Sequence, residues 1–304
     1  MVLHPYGCMR EWRSTYGSPV YAAILAAMCP WADAYAASIP DCAGRVEISQ
    51  AHVMRVEQNG VLVLRDGRAV ILEGIRLPEQ DSQRVQALTA LRALTADGAV
   101  TFAATPPKED RYDRVRAQGF AGGTWLQAAL LEKGLARVAI SPDRNECAPD
   151  LYEAETRARD QHAGLWAISA NAPRTAEQMR IPAPPESNAP RPSANERAPS
   201  TAQAGPPRMA ERMRKPETLE GSFQLVEGWV THVAQADGRT FIDFGSNGRQ
   251  SFSAIIQPDD RRAFRGFDLE GLEAHKIRIR GIVQDYRGRP EIALSNPAQI
   301  EVLN

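Results

Sequence analysis

Residues 69–79 read Ala69-Val70-Ile71-Leu72-Glu73-Gly74-Ile75-Arg76-Leu77-Pro78-Glu79. Four apolar or small residues end at Glu73-Gly74 and a proline follows, so the stretch reads as a short buried strand running out into a loop. Just upstream, the apolar runs 61–64 and 69–72 flank Arg65-Asp66-Gly67-Arg68. An Asp-Gly between two such runs is a strong hairpin signal. A further strand is predicted at 48–57. Downstream, Val85, Leu88, Leu91 and Leu94 form the apolar face of a predicted helix at 81–95. Strands follow at 99–104 and 115–121. A second helix at 124–133 is expected to stop at Gly134, where a C′ residue favours glycine, and a third occupies 149–161. Strands first and helices later describe an α+β, mainly β domain over 38–169, with a small curved sheet or barrel.

Beyond 169 the composition changes. Ten of the 22 prolines fall between Pro173 and Pro216, and no Phe, Trp or Tyr occurs between Ala167 and Ser222. Such a segment buries too little surface to fold, so 170–218 reads as a disordered Pro-rich linker tethering independent domains. The remaining residues, 219–304, carry strand patterns at 224–234, 240–244, 251–256, 276–284 and 291–294, with a short helix at 258–267. Five strands with a helix before the fourth is the order of an OB-like barrel.

The chain has 36 basic and 37 acidic residues, a formal net charge of -1, so no general electrostatic grip on nucleic acid is advertised. Cys8, Cys29, Cys42 and Cys147 contain no CxxC and the five histidines no HxxxH, which removes the usual zinc spacings. No metal site and no resident cofactor is expected from these. Arg10 and Arg13, the apolar run 19–28 and Ala34-Tyr35-Ala36 have the order of a secretory signal over 1–36, with Met9 an alternative start. The competing reading is a buried helix; the run is too short to span a bilayer, which takes about 20 apolar residues. Export to the periplasm or beyond would leave Cys42 and Cys147 in an oxidising compartment, where they are expected to pair. Two free thiols are the alternative.

The 70–79 stretch is followed by Asp110-Arg111-Tyr112-Asp113-Arg114, by Trp125-Leu126-Gln127 leading to Gly134-Leu135-Ala136-Arg137-Val138, then by Glu155-Thr156-Arg157-Ala158-Arg159 and Gly164-Leu165-Trp166. In this order and spacing, 53–166 resembles the staphylococcal-nuclease (thermonuclease) family. The resemblance implies an OB-type five-stranded barrel with three helices and, in active members, calcium-dependent phosphodiester hydrolysis. That chemistry uses a cation at the scissile phosphate, two arginines that clamp its oxygens and a glutamate that orients or activates water. Carried over residue by residue, the glutamate is Glu79 and the second arginine Arg114. The first arginine falls on Ile71, and a metal-holding aspartate falls on Arg76. The other metal aspartate falls in Glu57-Gln58-Asn59-Gly60, which offers only Asn59. The resemblance therefore implies a degenerate catalytic set, Glu79, Arg114 and Arg76, with calcium required only if hydrolysis survives. Both arginines are expected to gather around a partly buried Glu79, and the Arg76 guanidinium is itself a group that grips phosphate.

In the second domain Lys276, Arg278 and Arg280 alternate with Ile277 and Ile279, which predicts three cations on one exposed strand face. Arg239, Phe241 and Tyr286 are expected to share that side, a set suited to single-stranded nucleic acid. The competing reading is an ordinary half-buried strand, since residues 219–304 hold ten Lys or Arg against twelve Asp or Glu, a net of -2. Three functions follow: an exported pseudo-nuclease that binds nucleic acid or a partner, a weak phosphodiesterase on DNA or RNA, or a scaffold for cell-envelope proteins. Oligomeric state is not legible.

Overall fold

The computed structural model describes residues 39–179, 219–245, 251–286 and 288–303. The expected signal segment 1–36 and most of the expected linker, 180–218, lie outside the described residues. The first domain contains β1 (Arg45–Ala51), β2 (Val53–Val56), β3 (Leu62–Leu64), β4 (Ala69–Leu72), β5 (Ile75–Arg76), α1 (Asp81–Ala96), β6 (Val100–Ala104), β7 (Val115–Ala121), β8 (Thr124–Trp125), α2 (Leu126–Glu132), β9 (Arg137–Val138) and α3 (Ala148–Asp160). Its main sheet runs β1-β6-β7-β4-β3-β2 with β8 beside β7, and β5 pairs with β9.

The hairpin read from Asp66-Gly67 joins β3 to β4, with Leu62 opposite Val70 and Gly67 at φ 89°. Leu62, Leu64, Val70 and Leu72 are buried, so the hairpin forms the floor of the core. Helix α1 adds Leu88 and Leu91 to it, and α2 adds Leu126, Leu130 and Leu131. Gln127 is buried with them because its amide is fully used: Nε2 donates to the Ala117 carbonyl at 2.9 Å and Oε1 accepts from the Gly119 N–H at 3.1 Å. Cys42 and Cys147 are disulfide-bonded, with Cα atoms 5.0 Å apart, tying the 3-10 turn Asp41–Ala43 to the start of α3.

The second domain consists of β10 (Arg174–Thr175), β11 (Phe223–Trp229), β12 (His232–Ala236), β13 (Arg239–Asp243), β14 (Ser253–Ile256), β15 (Lys276–Tyr286), β16 (Arg289–Ala293) and β17 (Ile300–Leu303). The sheet order is β10-β11-β15-β16-β14-β13-β12, with β17 also on β15. The 224–234 run is interrupted between β11 and β12, and the expected 258–267 helix is a 3-10 turn over Pro258–Arg262.

Two expectations about the linker need correction. Residues 170–179 belong to the fold: β10 pairs in parallel with β11, and Ala176 and Met179 are buried in the second core. The two domains are also not independent, since Ala36–Asn304 forms one compact unit. Ala158, Leu165 and Trp166 of the first domain pack with Phe223 and Leu225 of the second in a shared apolar cluster. Beside it, Arg280 is fully buried and donates to Glu155, itself fully buried, at 3.0 Å and to the Val138 carbonyl at 3.1 Å. Its other Nη bonds Glu301, and its guanidinium lies 4.2 Å from the Tyr152 ring centroid. Both Nη atoms of this buried cation are thus used, by two carboxylates and a carbonyl, while its buried Nε has no partner; the paired carboxylates offset the cost of taking the charges out of water.

Candidate functional site

Strand β4 ends at Leu72, and Glu73 and Gly74, the latter at φ 85°, turn the chain into β5 and the Leu77-Pro78-Glu79 loop. Arg84, on the first turn of α1, fixes that loop by donating Nε to the Pro78 carbonyl at 3.0 Å and Nη2 to the Glu79 carbonyl. The Glu79 side chain is thereby held at the rim. It is 43% exposed and accepts from Arg76 Nη2 at 2.9 Å and Nε at 3.3 Å. The expected partly buried Glu79 is thus corrected to an exposed carboxylate paired with one guanidinium.

One pocket of about 380 Å³ gathers Asn59, Ile71, Arg76, Glu79 and Arg84. Four positions named from the sequence, Asn59, Ile71, Arg76 and Glu79, therefore line one pocket. Arg114 does not join the Arg76–Glu79 pair. It donates Nε and Nη2 to Asp110 at 2.9 and 2.7 Å and lies 5.0 Å from the Tyr112 ring centroid. Burial pushes the Asp110 carboxyl upward, but the Arg114 side chain and the Arg114 and Tyr112 N–H groups outweigh it and hold the carboxyl below its usual value. Asn59 Oδ1 accepts the Val61 N–H at 3.1 Å, which closes the turn before β3. Among the described residues, no group of three or more His, Cys, Asp or Glu side chains is placed to hold a metal ion.

The sequence did not disclose a second ionic cluster alongside. Arg116 on β7 is the parallel partner of Ile71, yet its guanidinium bonds Glu73 at 2.7 Å and Asp143 at 2.8 and 2.9 Å. Hydrogen bonds from Arg116 hold Asp143 below its usual value. The signal was present in Glu73, a carboxylate at the end of an apolar strand, which needs a partner when buried.

In the second domain the strand-face expectation fails for three residues. Lys276, Arg278 and Arg280 do share a face of β15, but burial deepens along it toward the first domain. Lys276 is paired with Glu227 at 3.4 Å, Arg278 with Glu227 and Glu301 at 2.7 and 3.2 Å, and Arg280 with Glu155. The face carries ion pairs to Glu227 on β11 and Glu301 on β17 of its own sheet, and only the Arg280–Glu155 pair crosses to the first domain. Arg239 and Tyr286 do come together, with the guanidinium 5.6 Å from the ring centroid, and Phe241 lies two residues along β13 from Arg239 on the same half-exposed side.

A small, mainly antiparallel sheet carrying three helices, with an arginine and a glutamate at the rim of a pocket beside its central hairpin, is an α+β, mainly β domain of OB type. Residues 69–168 match the family described as staphylococcal nuclease homologue, so this part of the chain is similar to that family. The match supports a nuclease-like or nucleic-acid-binding function. No curated protein matches the chain. No helix among the described residues is long and apolar enough to cross a membrane.

Proposed function

We propose that the protein is an exported nucleic-acid-binding pseudo-nuclease, in which the nuclease-like domain keeps its fold and its loop but not its hydrolytic chemistry. The observation that carries this reading is the Arg76–Glu79 pair at 2.9 Å. At the position where the family resemblance calls for a metal-holding carboxylate stands a cation, and it occupies the one carboxylate left to activate water. Calcium takes six to eight oxygen ligands. Here Glu79 is engaged by Arg76, Asn59 is committed to the Val61 N–H, and Ile71 offers no donor. These residues do not fit the ion, and no hydrolytic step is derived through it. Loss of one preorganised charge stabiliser costs about 100- to 1000-fold in rate, and this site lacks more than one.

The test is hydrolysis of single- and double-stranded DNA and RNA by the purified chain, with calcium and with chelator, beside Glu79→Gln. No calcium-stimulated cleavage is expected. Cleavage that requires calcium and disappears in Glu79→Gln would establish a working phosphodiesterase instead. The disulfide between Cys42 and Cys147 is in keeping with an oxidising compartment; blockage of both thiols against alkylation in protein taken from the periplasm tests the export part of the reading.

A further inference from the structure

On the far side of the Arg76–Glu79 loop a second cleft, of about 250 Å³, opens between the two domains. Arg76, Glu79 and Arg137 line it from the first domain, and Arg174 and Gln224 from the second. Its charge is unbalanced. Glu79 is the single carboxylate in the lining, and Arg76 already holds it. Arg137 spends Nη1 on the Phe223 carbonyl at 2.9 Å and Nη2 on the Asn171 carbonyl and Oδ1 at 3.2 Å, while its buried Nε has no partner. Among the described residues Arg174 donates only Nε, to Gln224 Oε1 at 3.2 Å. Neither Arg137 nor Arg174 is ion-paired among the described residues. Burial accordingly pushes the Arg137 guanidinium down from its usual value, with Arg280 and Arg174 adding repulsion against the pull of Glu155 and Glu79.

We propose that this cleft binds a phosphate group between Arg137, Arg174 and Arg76; resting on the nucleic-acid reading above, that phosphate belongs to a single strand. Partly desolvated guanidinium groups without a counter-anion are costly to maintain. Phosphate oxygens match the guanidinium fork and remove that cost. Typical small-molecule pockets begin at about 300 Å³, so the cleft has room for a phosphate and part of its sugar rather than for a whole cofactor. The site exists only because the second domain docks: Arg174 comes from β10, which is held by β11.

The experiment measures anisotropy of a short labelled single strand, as DNA and as RNA, and calorimetric binding of inorganic phosphate, on the full chain, Arg174→Gln and the control Arg68→Gln. Arg68 sits on the exposed Asp66-Gly67 turn, paired with Asp66. Loss of a charge-assisted contact should weaken strand binding by at least about five-fold and lower the log-log salt slope by about one, with Arg68→Gln unchanged. Arg137→Gln is expected to act the same way, with urea unfolding separating lost binding from a loosened interface. A strand that binds wild type and Arg174→Gln alike overturns the cleft and leaves the nucleic-acid reading standing. Phosphate heat that disappears in Arg174→Gln, with no strand bound by any form, upholds the cleft and overturns that reading. No binding of either probe overturns the cleft.

Discussion

Arg76 and Ile71 stand two strand ends apart in the same pocket, one contributing an unwanted charge and the other withholding a needed one. Restoring both, as Arg76→Asp with Ile71→Arg, frees Glu79 and places a second carboxylate beside it. Calorimetry is expected to show calcium binding with Kd on the order of 10⁻⁴ to 10⁻³ M, the weak end of protein calcium sites, where the parent chain gives no heat. A heatless double variant would mean that the Asn59 turn has also drifted out of reach. These positions were legible in the sequence because they sit beside the fixed landmarks Gly74 and Pro78. Arg114 was legible as a residue but not as a contact, since Asp110, four residues earlier, captures it locally. Arg280 was misread outright. An alternating strand reports which residues share a face and says nothing of what covers that face.

Among the elements, α2 closes at Glu132 with Lys133 as its C-cap and Gly134, at φ 62°, in the C′ position, and the reason is packing as well as conformation. A Cβ there would meet the Ala163 carbonyl oxygen at 2.0 Å. Gly134→Ala is therefore expected to cost about 2 kcal/mol or more in urea unfolding, combining left-handed strain with a backbone clash; a change under about 0.5 kcal/mol would show that the α2 and α3 ends are not locked together. Helices α1 and α3 and the β3–β4 hairpin were legible because each carries its own period or turn signal. Strands β10 and β17 were not. The first is two residues long and flanked by proline-rich sequence, and its strand geometry comes from β11, a tertiary effect that overrides local propensity.

At the scale of the whole molecule, the domains are coupled through the buried Arg280–Glu155 pair. Arg280→Ala leaves that buried carboxylate only the Arg159 guanidinium at 3.5 Å and the Val138 N–H, and is expected to cost about 3 kcal/mol in urea unfolding, whereas Arg280→Met with Glu155→Leu should recover most of it. Failure of the double variant to recover would mean that the pair is more than a charge match. Glu227 adds a pH dependence. Burial raises its carboxyl, but Arg278 and Lys276 outweigh burial and hold it below its usual value. A carboxylate with a lowered folded pKa stabilises above its unfolded value of about 4.3 and loses that contribution as pH falls through the folded one. The urea midpoint should drop on acidification below about pH 4, and less steeply in Glu227→Gln. Finally, Ala176 and Met179 lie in the second core and Leu219 packs against it, so the residues on either side of 180–218 belong to one core. The crossing between domains is made earlier, through the continuous chain from α3 to β10, so covalent continuity across 180–218 is redundant for holding the halves together. A chain severed there by a protease should run undivided on gel filtration and separate into two fragments only in denaturant; separation without denaturant would show that docking depends on the intact chain.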